Sequence, residues 1–118
     1  MKQLLVIAVL LSGCSTIKDL STYWPREHDA VLFDRLVTTD IAIEKIDCER
    51  PNWTSAHDNA EALARYAEWR NDPQTTNLKG LLAHTERMGR GGSKTFCELG
   101  KKTAQQRIEA ARSAWKGR

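Results

Sequence analysis

Few side chains in these 118 residues stand at spacings that chemistry can use. His57 lies beside Asp58 and within one helical turn of Glu61, so a base and an acid for hydrolysis are near in sequence. The same three residues are equally explained as the polar first turn of a helix, and no catalytic residue is assigned. Gly89-Arg90-Gly91-Gly92-Ser93-Lys94-Thr95 invites comparison with a phosphate-binding loop, which sets a Lys directly after Gly at the head of a helix and follows a strand. Here Ser93 intervenes and the preceding segment reads as a helix. Nucleotide binding is therefore not expected, although the N–H groups of such a turn suit a passing anion. No Cys-x-x-Cys occurs and His28, His57 and His84 are far apart in sequence, so no metal site is expected either. Arg65, Tyr66 and Trp69 share one side of a predicted helix and are the residue types richest in interface hot spots. They are the candidate partner-binding residues; the alternative is that another helix or the N-terminal segment covers Trp69.

The strongest local pattern is at the N-terminus. Lys2 supplies a positive charge, Leu4 to Leu11 form an unbroken apolar run, and Ser12 and Gly13 lead to Cys14. The run is far short of the roughly 20 apolar residues of a spanning helix and follows the plan of a secretory signal. Leu11-Ser12-Gly13-Cys14 resembles the bacterial lipobox, in which the Cys thiol is lipidated and the signal is cut immediately before it. The resemblance covers about the first fifteen residues and implies an anchor of three acyl chains in a Gram-negative cell. Each buried CH₂ is worth roughly 0.8 kcal/mol, so several chains hold the protein to a membrane effectively for good. It also implies sorting by the next residue: Asp there retains a lipoprotein in the inner membrane, whereas Ser15 does not. The expected location is the outer membrane, with the domain facing the periplasm. Beyond the lipid on Cys14 no cofactor is expected.

Loss of Lys2 with the signal leaves 17 basic against 15 acidic side chains, a balance that does not call for nucleic acid or an anionic surface. Lipidation of Cys14 would also remove the odd cysteine. Cys48 and Cys97 are then left together in an oxidising compartment, where they are expected to pair.

The rest of the chain must supply the elements that position these groups. Residues 1–13 are read as signal, 14–26 as a lipidated tether ending near Tyr23-Trp24-Pro25, and 27–118 as one domain with a modest core. Tyr23 and Trp24 would sit at the headgroup level or pin the tether to the domain, and pinning is preferred. From Glu27 to Ile46 apolar residues recur at three- and four-residue steps, which predicts a helix, although Asp40 to Glu44 also alternates like a strand. Ser55 reads as the N-cap of a second helix running to about Arg70, with an inner stripe of Ala56, Ala60, Leu63, Ala64 and Ala67. A third helix is expected over Asn77 to Met88, ended by the glycine cluster. A last one opens at Ser93 or Lys94, with Phe96, Cys97, Gly100, Ala104, Ile108, Ala111 and Trp115 on one face.

The expected fold is all-α, a bundle of about four helices stapled by one disulfide. The expected function is that of a membrane-anchored, non-enzymatic binding or accessory module with an envelope protein partner. An exclusion or inhibitor lipoprotein of the phage or plasmid type is the alternative, and a peptidoglycan- or lipid-directed enzyme is the third.

Overall fold

The computed structural model describes residues 28–116, so Cys14, the lipobox, the Tyr23-Trp24 pair and the rest of the tether lie outside the described residues. Four helices follow one another: α1 (Ala30–Glu44), α2 (Thr54–Trp69), α3 (Thr75–Met88) and α4 (Lys94–Lys116). No strand forms among the described residues. Asp40 to Glu44 is the last turn of α1, because Ile43 and the following Ile46 continue the buried stripe of Leu32, Leu36 and Thr39. Alternation over five residues yields here to burial over four turns.

Each helix begins where a side chain or loop satisfies its first N–H groups. Asp29 Oδ1 accepts from the backbone N–H of Val31 at 3.0 Å and of Leu32 at 3.2 Å, which places the start of α1 three residues later than Glu27. The start of α2 differs from expectation. Asn52 Oδ1 accepts from the N–H of Thr54 at 3.0 Å, and Ser55 is already inside the helix, where its carbonyl accepts from Asn59 Nδ2. Ser93 caps α4, its hydroxyl accepting from the N–H of Phe96 at 3.1 Å.

The helices pack α1 on α2, α2 on α3, α3 on α4 and α4 back on α1. Neighbours run antiparallel. Asn77 Nδ2 donates to the carbonyl of Arg107 at 2.9 Å while His84 Nε2 lies 2.8 Å from the carbonyl of Gly100, so the pairing steps forward along α3 as it steps back along α4. Between α4 and α1, Lys101 Nζ donates to the carbonyls of Glu44 at 3.0 Å and Ile46 at 2.8 Å, satisfying acceptors that the end of α1 leaves open.

The core is the alanine stripe of α2 set against Leu32, Leu36 and Ile43 of α1, Leu78, Leu81 and Met88 of α3, and Ala104, Ile108, Ala111 and Trp115 of α4. Small residues let the helices approach closely, and a Cβ at Gly100 would collide with the Met88 thioether. Phe96 is a correction: it is 46 % exposed and lies off the buried face that Cys97 and Gly100 define. The bundle has two unlike ends. At one, Cys48 after α1 is joined to Cys97 in the first turn of α4, with Cα atoms 5.6 Å apart. At the other, Asp72 in the α2–α3 turn accepts from Trp115 Nε1 at 3.0 Å.

Candidate interaction surface

α2 positions the three residues singled out by sequence. Its alanines face the core, so Arg65 and Trp69 fall on its outer side; Trp69 is 76 % exposed, and among the described residues no helix covers it. Tyr66 is only half-buried and packs against the core, with the Arg35 guanidinium from α1 5.7 Å from its ring centre. Tyr66 thus belongs to both the fold and the surface, whereas Trp69 belongs to the surface alone. Arg35, Asp58, Glu61, Ala62, Arg65, Tyr66 and Trp69 together line a depression of about 380 Å³. Its floor is small at Ala62, its cations are Arg35 and Arg65, and its anions are Asp58 and Glu61. Arg65 Nη2 donates to Glu61 Oε1 at 2.7 Å, one turn back on the same helix.

His57, Asp58 and Glu61 do meet, their ligand atoms all within 4.8 Å of one another. His57 Nδ1 lies 3.6 Å from Asp58 Oδ1, and Glu61 is engaged by Arg65. The trio sits on the first turns of α2, His57 at the edge of one depression and Asp58 and Glu61 at the edge of another.

A larger cavity of about 480 Å³ lies at the disulfide end, lined by Trp53, His57, Thr85, Met88, the turn Gly89–Ser93 and Phe96 among others. Gly91 and Gly92 take φ of 100° and 153°, backbone angles that a side chain would resist. The turn departs further from a phosphate-binding loop, because the Lys94 ammonium is paired with Glu49 across the gap between the loop after α1 and the start of α4. Trp53 is 3 % exposed and its indole N–H is buried with no hydrogen-bond partner. The Trp53 and His84 rings meet edge to face, with centres 6.3 Å apart.

Sequence reasoning missed Trp53, Asp72, His84 and Thr39, all buried. Asn71-Asp72-Pro73 signalled only a helix stop, yet Asp72 Oδ1 accepts from both Gln74 N and the Trp115 indole. Partial burial, then Glu44 and Glu109, push the Asp40 carboxyl above its ordinary value. The hydrogen bonds from Arg112 hold Glu109 below its own. No described helix is long and apolar enough to cross a membrane. Comparison with protein-family models, curated proteins and solved structures finds no match to this chain.

Proposed function

We propose that this chain is a lipid-anchored envelope lipoprotein whose helical domain is a binding module without catalysis, docking a protein partner on the outer face of α2. The anchor rests on the Leu11-Ser12-Gly13-Cys14 motif, and the docking face rests on one observation, the 76 % exposure of Trp69 beside Arg65 and Tyr66. A Trp so placed contributes little to a monomer, and Trp, Tyr and Arg are the residues that carry binding energy at interfaces. The depression beside it is shallow and carries a mixed ring of charges over a small residue. That arrangement suits the side chains of another protein better than an enclosed small molecule.

The test has two readouts on protein isolated from its membrane. Mass spectrometry should find acyl chains on Cys14 and no residue before it. The partner retained by the wild type should be lost from Trp69→Ala at unchanged melting temperature. An unmodified Cys14 would remove the anchor, and undiminished capture by Trp69→Ala would remove the docking face.

A further inference from the structure

We infer that His57, Asp58 and Glu61, on the first turns of α2, hold one divalent transition-metal ion of the zinc class. The inference goes beyond the docking reading and does not depend on it, since it stands on the ligand set alone and requires no partner.

The expectation of no metal site rested on the lack of Cys-x-x-Cys and on the spacing of the three histidines. A set with one imidazole and two carboxylates escapes both tests. Helix geometry assembles it. His57 and Glu61 are one turn apart and share a face of α2, and Asp58 adds its carboxylate from the adjoining position. The backbone N–H of His57 donates to the Trp53 carbonyl at 2.8 Å, so the first ligand already belongs to the helical ladder. One ring nitrogen and two carboxylate oxygens thereby lie within 4.8 Å of one another. Around tetrahedral zinc, with bonds of about 2.0–2.2 Å, ligand atoms stand about 3.3–3.6 Å apart. Rotations about side-chain bonds close that difference without moving the helix.

Charge favours a dication. A ligating imidazole is neutral, so the set carries two negative charges. Among the described residues Asp58 pairs with no lysine or arginine, and its partner is the His57 ring, with Nδ1 3.6 Å from Oδ1. Glu61 Oε1 accepts from Arg65 Nη2 at 2.7 Å, which fixes the carboxyl group and leaves Oε2 for a metal. A bonded neighbour that orients a ligating carboxylate in this way is a recurrent part of metal sites.

Ligand type narrows the choice of ion. An imidazole beside carboxylates suits Zn²⁺ and its transition-metal neighbours, whereas Mg²⁺ and Ca²⁺ take oxygen ligands. Three protein ligands leave one tetrahedral position for water. That position is open to solvent, because the Asp58 side chain is 71 % exposed and that of Glu61 42 %.

The experiment uses the full lipidated chain in detergent, stripped of metal by a chelator and then titrated with Zn²⁺ alone by calorimetry. One equivalent should bind, and the melting temperature should rise with Zn²⁺ concentration, because the ion binds the assembled helix and not the unfolded chain. Co²⁺ should bind with visible absorption that Zn²⁺ abolishes, and neither Ca²⁺ nor Mg²⁺ should compete. His57→Ala and Glu61→Gln should each weaken Zn²⁺ binding by more than about tenfold, the smallest loss that removal of an outer-shell neighbour alone produces. Both side chains lie at the surface and Glu61→Gln keeps its size, so both variants should retain the helical circular dichroism of the wild type. His28→Ala should bind as the wild type does. No Zn²⁺ binding, binding that His57→Ala or Glu61→Gln leaves intact, or equal competition by Ca²⁺ would each overturn the site.

Discussion

Trp53, Trp69 and Trp115 show how one residue type takes three roles in a small bundle. Trp69 has its ring in solvent; Trp115 is buried and donates to Asp72; Trp53 is buried and its N–H has no hydrogen-bond acceptor. Trp69→Ala should therefore change the unfolding free energy by no more than about 0.5 kcal/mol. Trp115→Ala should cost about 3–5 kcal/mol by opening the core. A finer comparison separates the hydrogen bond from the packing. Trp115→Phe and Trp53→Phe remove the same atoms, but only the first gives up a hydrogen bond, to a carboxylate oxygen that keeps the Gln74 N–H, so it should cost about 1 kcal/mol more in denaturant titrations. Equal losses would mean that the Asp72 contact contributes nothing net. The place of Trp115 was readable from the sequence because it closes a four-turn stripe of small and apolar residues. Asp72 was not, because its partner lies 43 residues away and no periodicity links a turn carboxylate to an indole.

At the scale of the helix, ends were less readable than faces. The α2 stripe appears where the apolar spacing puts it, but Ser55 gave way to Asn52, whose position relative to Trp53 lets its side-chain Oδ1 reach the N–H of Thr54. Phe96 fell off the buried face because Cys97 and Gly100 fix the phase of α4. Asp29 is the clearest cap, holding two N–H groups of α1 while its other oxygen meets Arg70 at 3.3 Å. Asp29→Ala should destabilise the domain by about 1–2 kcal/mol, with the loss visible as early exchange of the Val31 and Leu32 amides. Asp40 acts in the opposite sense. Its folded-state carboxyl titrates above the ordinary value, so between the two values the native chain binds more protons than the unfolded one. Stability accordingly falls as pH rises through that window, and the penalty is fully present at neutral pH. Asp40→Asn should raise the melting temperature at pH 7 by an amount worth less than about 1 kcal/mol, screened because Asp40 is only partly buried. The advantage should vanish below the ordinary carboxylate range; a variant that melts earlier than wild type at pH 7 would contradict it.

The described residues form a ring of four antiparallel helices, and its closure depends on α1 meeting α4, the pair most separated in sequence. Helix number and order followed from periodicity and breakers, but which helices become neighbours did not, since every amphipathic face is compatible with several partners. The cysteines carried the one long-range signal, and Cys48 and Cys97 are joined across the α1–α4 seam. Beside the buried residues of the two helices, that seam holds Lys101 on the last carbonyls of α1, His28 and Phe33 near Trp115, and the unfavourable approach of Asp40 to Glu109. The other three seams are joined by short turns and need no crosslink to stay close. Opening the disulfide thus frees a loop with a sequence separation of 49 in the unfolded chain, for which chain entropy gives about 4 kcal/mol. For a domain this size the loss corresponds to a fall in melting temperature on the order of 20 °C. Cys48→Ala with Cys97→Ala should show that fall and keep its helical circular dichroism at low temperature, because the α2 and α3 core does not pass through the bond. The Arg65 and Trp69 surface should survive with it. If the double variant instead melts with the wild type, closure of the ring comes from the helix faces alone and the disulfide is a passenger. If it is unfolded at every temperature, the α1–α4 seam holds the fold together more than its contacts indicate.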